Sequence, residues 1–149
     1  MEIKKTLNVS MDEMDAFIQS MVVQDIKNAT GKDKNAQNIG AGYSYHKELT
    51  ARSGRKGRVV THIDELKTGL YKASFDSSQG VNTLCYAYNP KDENSIELCY
   101  SEGYASSKKS LDINYQIMNF LYKHSNKKRI NLMLKRIEEM IQENREARS

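Results

Sequence analysis

Leu111-Asp112-Ile113-Asn114-Tyr115-Gln116-Ile117-Met118-Asn119-Phe120-Leu121-Tyr122 opens a run that continues to Arg148 without a proline or a glycine. The run is rich in strong helix formers and long enough, as a helix, to lie across an entire small sheet. Its two halves do not share one face. At about 100° per residue, Leu111, Tyr115, Met118 and Tyr122 make one stripe, while Ile113, Ile117, Phe120 and Leu121 spread over much of the remaining circumference. Beyond Asn126 a single stripe of Ile130, Met133, Leu134, Ile137, Met140 and Ile141 is turned away from the first. Either the helix bends near Ser125–Asn126 or its first half is covered on two sides. The first helix, a ligand or a second copy of the chain, making a homodimer, could supply the second cover. Ser110 stands where an N-cap would.

The chain upstream supplies what such a helix needs to cover. Ile3, Lys5, Leu7 and Val9 alternate with Lys4, Thr6 and Asn8, a half-buried strand with Lys5 as the misfit. Ser10-Met11-Asp12-Glu13 is a capping box, and Met14, Phe17, Ile18, Met21, Val22, Ile26 and Ala29 follow at helical spacing. Gly31 stands at the expected left-handed cap. Lys32 to Gly42 is polar, with room for one short turn of helix around Ala36–Ile39. From Gly42 the period becomes two. Tyr43–Arg52 and Arg58–Leu66 read as strands joined through Ser53–Gly57. Tyr71, Ala73 and Phe75, then Leu84, Tyr86 and Tyr88, then Ile96, Leu98, Tyr100 and Tyr104 are the apolar sides of three more, separated by turns at Leu66–Gly69, Asp76–Gly80 and Asn89–Asn94. Short strands joined by short turns predict an antiparallel meander. Pairing Leu84, Tyr86 and Tyr88 with Tyr100, Leu98 and Ile96 gathers the large apolar groups on one face and sets Cys85 opposite Cys99 on the other.

Composition bounds the class. A chain of 149 residues is expected to be one domain, spanning 1–149, with 38% hydrophobic and 28% charged residues. The net charge of +4 suits a surface of mixed sign and does not by itself indicate nucleic acid or an anionic membrane. No apolar run is long enough to span a bilayer, and Met1–Thr6 lacks the apolar core of a signal peptide. Two cysteines without a disulfide framework fit a reducing cytoplasm.

Strand, helix, short helix, about five more strands and a long C-terminal helix: this α+β order resembles the helix-grip order of the START-like (SRPBCC) superfamily. That superfamily includes the birch-pollen-allergen proteins, polyketide cyclases and lipid-transfer domains. The resemblance rests on Ile3–Ser10 leading into the capped helix, the strands from Tyr43 to Tyr104 and the helix from Leu111. More narrowly, Lys4–Ser10, Asp25–Gly31, Gly42–Tyr45 and Phe120–Lys123 resemble an uncharacterised family of small cytoplasmic Firmicute domains of unknown function. No activity comes with that family. The superfamily resemblance implies a curved sheet gripping the helix with a cavity between them, lined by Tyr71, Phe75, Leu84, Tyr86, Tyr88, Leu98, Tyr100, Tyr115, Met118 and Tyr122. Nine tyrosines against three phenylalanines and no tryptophan suit an apolar pocket with polar anchors, and equally a half-exposed sheet.

No catalytic constellation stands out. His46 and His62 lie on neighbouring predicted strands without a third ligand at a recognisable spacing, so no metal site is expected. Cys85 and Cys99 lack the Cys-x-x-Cys spacing of redox or zinc sites and read as small apolar residues. Gly40-Ala41-Gly42 is too short for a phosphate loop. Lys123, Lys127, Lys128, Arg129, Lys135 and Arg136 make the last helix basic, but Glu138, Glu139, Glu143 and Glu146 follow, and no aromatic interleaves them to stack on bases. The sequence therefore favours a non-catalytic binder of a small, partly apolar or amphipathic ligand, without cofactor or nucleic acid. The competing class is an interaction or regulatory protein acting through its helix surface, and a cyclase- or hydrolase-type enzyme comes third.

Overall fold

The structure, a computed structural model, describes residues 1–50, 56–78, 80–106 and 113–148; at 49, 50, 106, 113–126 and 148 only the backbone is described. Chain order is β1 (Glu2–Leu7), α1 (Met11–Thr30), a 3-10 turn (Ala36–Asn38), β2 (Ser44–Thr50), β3 (Lys56–Lys67), β4 (Leu70–Ser77), β5 (Gly80–Asp92), β6 (Ser95–Ser106) and α2 (Ile113–Arg148). The six strands form one curved antiparallel sheet in the order β1-β6-β5-β4-β3-β2, so β2 to β6 is a meander and β1 closes on β6. This is the helix-grip fold expected from the sequence. Ser110 and Ser53–Arg55 lie outside the described residues, as do the side chains of Ile113, Tyr115, Ile117, Met118, Phe120, Leu121 and Tyr122.

Both ends of α1 form as their residues dictate. The Ser10 hydroxyl accepts from the Glu13 N–H at 3.2 Å, and the Glu13 carboxylate accepts from the Ser10 N–H at 2.9 Å. Gly31 closes the helix at φ 75°, its N–H reaching the Lys27 carbonyl. The face between these caps buries Met14, Ile18, Val22 and Ile26. Beneath it, the inner face of the sheet contributes Ile3, Leu7, Ile63, Tyr71, Ala73, Tyr86, Tyr88, Ile96, Leu98 and Tyr100 to one continuous core.

With 36 residues, α2 is about 54 Å long and runs on without interruption at Ser125–Asn126. Its later stripe behaves as the spacing predicts for Ile130, Leu134, Ile137 and Ile141, all buried, and Met133 packs against the same core. Met140 departs from it at 44% exposed. The end of α2 is pinned to the corner between β1 and α1. Asn8 donates its N–H to Glu138 at 2.8 Å, and Gln142 donates back to the Asn8 carbonyl at 3.1 Å.

The last hairpin corrects the expected register. Tyr86 faces Tyr100 and Tyr88 faces Leu98, a shift of two residues from the pairing the sequence suggested. The reason is the turn. Rather than ending near Asn89, β5 runs on to Asp92, with an irregularity between Pro90 and Asp92, and the chain reverses through Glu93–Asn94. The Asp92 carboxylate holds that turn by accepting the Asn94 N–H at 2.8 Å. A shift of two leaves every side chain on its original face, so the tyrosines stay inside. The cysteines, however, no longer meet: Cys85 is opposite Ser101 and Cys99 opposite Ala87, and both thiols are free.

Candidate functional site

A cavity of about 880 Å³ lies between α1, the inner face of the sheet and the last turns of α2. Each wall follows from local periodicity. On α1, Glu13, Phe17, Met21 and Asp25 recur every four residues down the flank beside the buried stripe, and all four line the cavity. On β4 and β5, Tyr71, Phe75, Leu84 and Tyr86 point inward. From α2 come Met140, Ile141, Asn144 and Arg145, which accounts for the exposure of Met140.

Of the sequence candidates, Tyr71, Phe75, Leu84 and Tyr86 are thus brought together. Tyr88, Leu98 and Tyr100 are not among the lining residues; they are packed core, each exposed by about 2%. The register explains part of this. Tyr71, Tyr86 and Tyr100 are direct cross-strand neighbours on β4, β5 and β6. The first two stack with ring centres 6.0 Å apart, and the third meets Tyr86 edge-on at 4.8 Å. The row runs from the cavity wall into the core. Both core phenols have carboxylate partners: Tyr88 donates to Asp15 of α1, and Tyr100 donates to Glu102 at 2.5 Å.

The polar end of the cavity was not anticipated. Lys47, on β2, donates to Asp25 at 2.5 Å, and Tyr45 donates to the other oxygen of the same carboxylate at 2.5 Å. At the opposite rim Arg145 grips Glu13 through two nitrogens, at 2.7 and 2.9 Å. That fork, helped by the Ser10 hydrogen bonds, holds the Glu13 carboxyl down to about 2 against the opposing effect of burial. Glu13, Asp25, Lys47 and Arg145 are all the charged residues among the described lining. Lys47 did leave a signal in the sequence. It breaks the alternation Tyr43, Tyr45, Lys47, Leu49 at an inward position, where a charge needs a buried partner.

The phenols facing this space stay protonated. Burial, then the nearby Asp25 charge, pushes the Tyr71 hydroxyl up to about 12; burial above all raises Tyr86 as well. Tyr86 has only a long contact of 4.0 Å to the Met133 sulfur. The Tyr71 hydroxyl has no hydrogen-bond partner among the described residues. Among those residues, too, no cluster of three or more His, Cys, Asp or Glu side chains is placed to hold a metal ion, and no helix is long and apolar enough to cross a membrane.

Residues 1–123 match a protein family described as a domain of unknown function, DUF3284. The chain belongs to that family. No curated protein matches it in sequence. Among solved structures, a START superfamily protein from Mycobacterium smegmatis is 8% identical, with a TM-score of 0.58 over 94% of this chain and 97% of its own. Ara h 8.0201 is 11% identical, with a TM-score of 0.61 over 96% and 97%. Norcoclaurine synthase from Thalictrum flavum, solved in complex with dopamine and hydroxybenzaldehyde, is 10% identical, with a TM-score of 0.60 over 96% of this chain and 86% of its own. Identities this low establish a shared START-like fold and leave the site to be judged on its own residues.

Proposed function

We propose that this DUF3284 protein is a non-catalytic binder of a small, partly apolar ligand, held in the cavity between α1, β4–β5 and the end of α2. The observation that carries the reading is a space of about 880 Å³ with an aromatic and aliphatic wall of Phe17, Met21, Tyr71, Phe75, Leu84 and Tyr86, and with polar groups on α1, β2 and α2 around it. A volume of roughly 300–1,000 Å³ with a mainly apolar lining and a few placed polar groups is what small-molecule sites have. The norcoclaurine synthase complex adds support from outside, since a chain of the same fold holds two small aromatic molecules. The charged groups among the described lining are tied to one another, which leaves no unengaged carboxylate, lysine or arginine there for acid–base work.

The test has two parts. Native mass spectrometry of freshly purified protein should show a retained small molecule, and an environment-sensitive naphthalene dye should bind with about micromolar affinity, roughly 8 kcal/mol. Ala16 lines the cavity from an exposed position on α1. Ala16→Trp should fill the space, abolish dye binding and leave the unfolding transition in place. Dye binding unaffected by Ala16→Trp would mean that the probe sits elsewhere and that the cavity is not a site.

A further inference from the structure

Resting on the ligand-binding reading, we infer that the cavity selects an uncharged ring compound bearing a hydrogen-bond-accepting oxygen, such as an aromatic ketone, and rejects its ammonium and carboxylate counterparts. The argument begins with charge. Every charged side chain among the described lining already holds an opposite one: Asp25 with Lys47 at 2.5 Å, and Glu13 with Arg145 at 2.7 Å. The first pair is half-buried, each side chain about 30% exposed or slightly less. Asp25 is further engaged, since its second oxygen accepts from Tyr45. An incoming ammonium could reach Asp25 only by displacing Lys47 or by crowding a second cation beside it. A carboxylate faces the mirror problem at Lys47. Either way a charge leaves water without a free counter-charge, which costs more than any hydrogen bond it makes.

What the described lining leaves free beside its aromatic wall is a neutral donor. Tyr71 lines the space, and its hydroxyl has no partner among the described residues and stays protonated because burial and Asp25 oppose its ionisation. A protonated phenol with an unused O–H calls for an acceptor on the ligand. The ring beside it, Tyr86, lies at 16° to the plane of Tyr71, so the two present an aromatic wall for a flat apolar body. Paired charges thus exclude ions, the aromatic wall selects a ring, and Tyr71 selects an oxygen.

Four probes of one shape separate these effects: 2-acetylnaphthalene, 2-ethylnaphthalene, 2-naphthoate and 2-naphthylmethylammonium, titrated at pH 7 by calorimetry or fluorescence. The ketone should bind tightest, with the ethyl compound several-fold weaker and both ions about tenfold or more below the ketone. Tyr71→Phe should erase the advantage of ketone over ethyl compound without weakening the latter. Asp25→Asn, by leaving Lys47 uncompensated, should raise naphthoate affinity about tenfold while the ketone changes little. Circular dichroism checks that each variant is folded; if Asp25→Asn is not, the wild-type series and Tyr71→Phe decide alone. If an ion binds the wild type as well as the ketone, or Tyr71→Phe keeps the ketone's advantage, this selectivity is overturned while the cavity stands as a site. If none of the four probes binds, the ligand-binding reading fails and the selectivity falls with it.

Discussion

Truncating Tyr86 to alanine should cost about 3–5 kcal/mol of stability, the range for removing a buried aromatic from a packed site. The structure places it at the upper part of that range. Its ring is 4% exposed, stacked on Tyr71 at 6.0 Å and edge-on to Tyr100 at 4.8 Å. Each such pair is worth roughly 0.5–1.5 kcal/mol beyond the area it buries, and two are lost together. Tyr86→Phe is the control. It removes only a hydroxyl whose contact is the Met133 sulfur at 4.0 Å, so the cost should stay below about 1 kcal/mol. Phe75, half-buried at the cavity wall, gives the third comparison. Part of its ring is already uncovered, and Phe75→Ala should cost only about 1–2 kcal/mol. Urea unfolding of the three variants against wild type, with slopes compared to confirm two-state behaviour, measures all of these. In thermal scans Tyr86→Ala should lower Tm by roughly 6–20 °C for a chain of this size. A cost near 1 kcal/mol for Tyr86→Ala would break the aromatic row, and equal large costs at Phe75 and Tyr86 would mean that no open space adjoins the wall.

The Glu13–Arg145 pair makes stability depend on acid. With the Glu13 carboxyl lowered from 4.5 to about 2, its contribution is whole above about pH 5 and fades as pH falls towards 2; Arg145→Met should flatten that slope in urea titrations across the range. At pH 7 the same substitution should cost about 0.5–1 kcal/mol, because the pair is partly solvated, and a neutral result together with an unchanged acid slope would dissolve it. Gly69→Ala should be worse than Gly31→Ala. Both glycines have positive φ, but a Cβ at Gly69 would stand 2.8 Å from the Tyr88 carbonyl oxygen while one at Gly31 meets nothing within 4 Å. The expected costs are about 2–4 and about 1 kcal/mol, and equal losses by thermal unfolding would show that the close approach is not real. Finally, Cys85 and Cys99 should stay separate under mild oxidant. Diagonal sheet neighbours sit roughly 7–8 Å apart, well beyond the reach of a disulfide, so an intramolecular bond forming quickly by alkylation and mass analysis would restore the register that the structure displaces.

How far the sequence could be read follows from which physical signals are local. α1 was legible at both ends because its capping box and its left-handed glycine each lie within four residues of what they satisfy. Strand faces were legible because alternation depends only on odd and even positions. Register was not, since moving β5 past β6 by two residues leaves odd and even unchanged; the decision fell to Asp92 and the Asn94 N–H, a turn contact that carries no hydrophobic signal. The cavity divides in the same way. Its apolar wall could be named from alternation, yet alternation could not separate Tyr71 and Tyr86, at the wall, from Tyr88 and Tyr100, in the core.

What sets Tyr88 apart is a contact made by α1, whereas Tyr100 finds Glu102 on its own strand. Tyr88 donates to Asp15, which also accepts the Gly69 N–H at 3.1 Å, so one carboxylate ties α1 to the β3–β4 turn and to β5. Ten residues further along the same helix, Asp25 takes Tyr45 and Lys47 from β2. Thus α1 is fastened to the sheet at two carboxylates, and the cavity opens on the flank between Glu13 and Asn28. Nothing in the spacing of Asp15 and Asp25 marks either as an anchor, because each partner lies 20 or more residues away in sequence. The two are nonetheless unequal in consequence. Asp15 serves groups outside the cavity lining, and its loss should be felt as stability alone. Asp25 lies in the lining with Lys47, so the same kind of substitution there should alter which charge the cavity accepts. Asp15→Asn and Asp25→Asn therefore divide fold from function. The first should lower Tm and leave the preference for an uncharged ring intact, whereas the second should shift that preference towards anions. A changed preference in Asp15→Asn would mean that the two anchors act as one, and that the cavity's charge balance is set by the seating of α1 rather than by the Asp25–Lys47 pair.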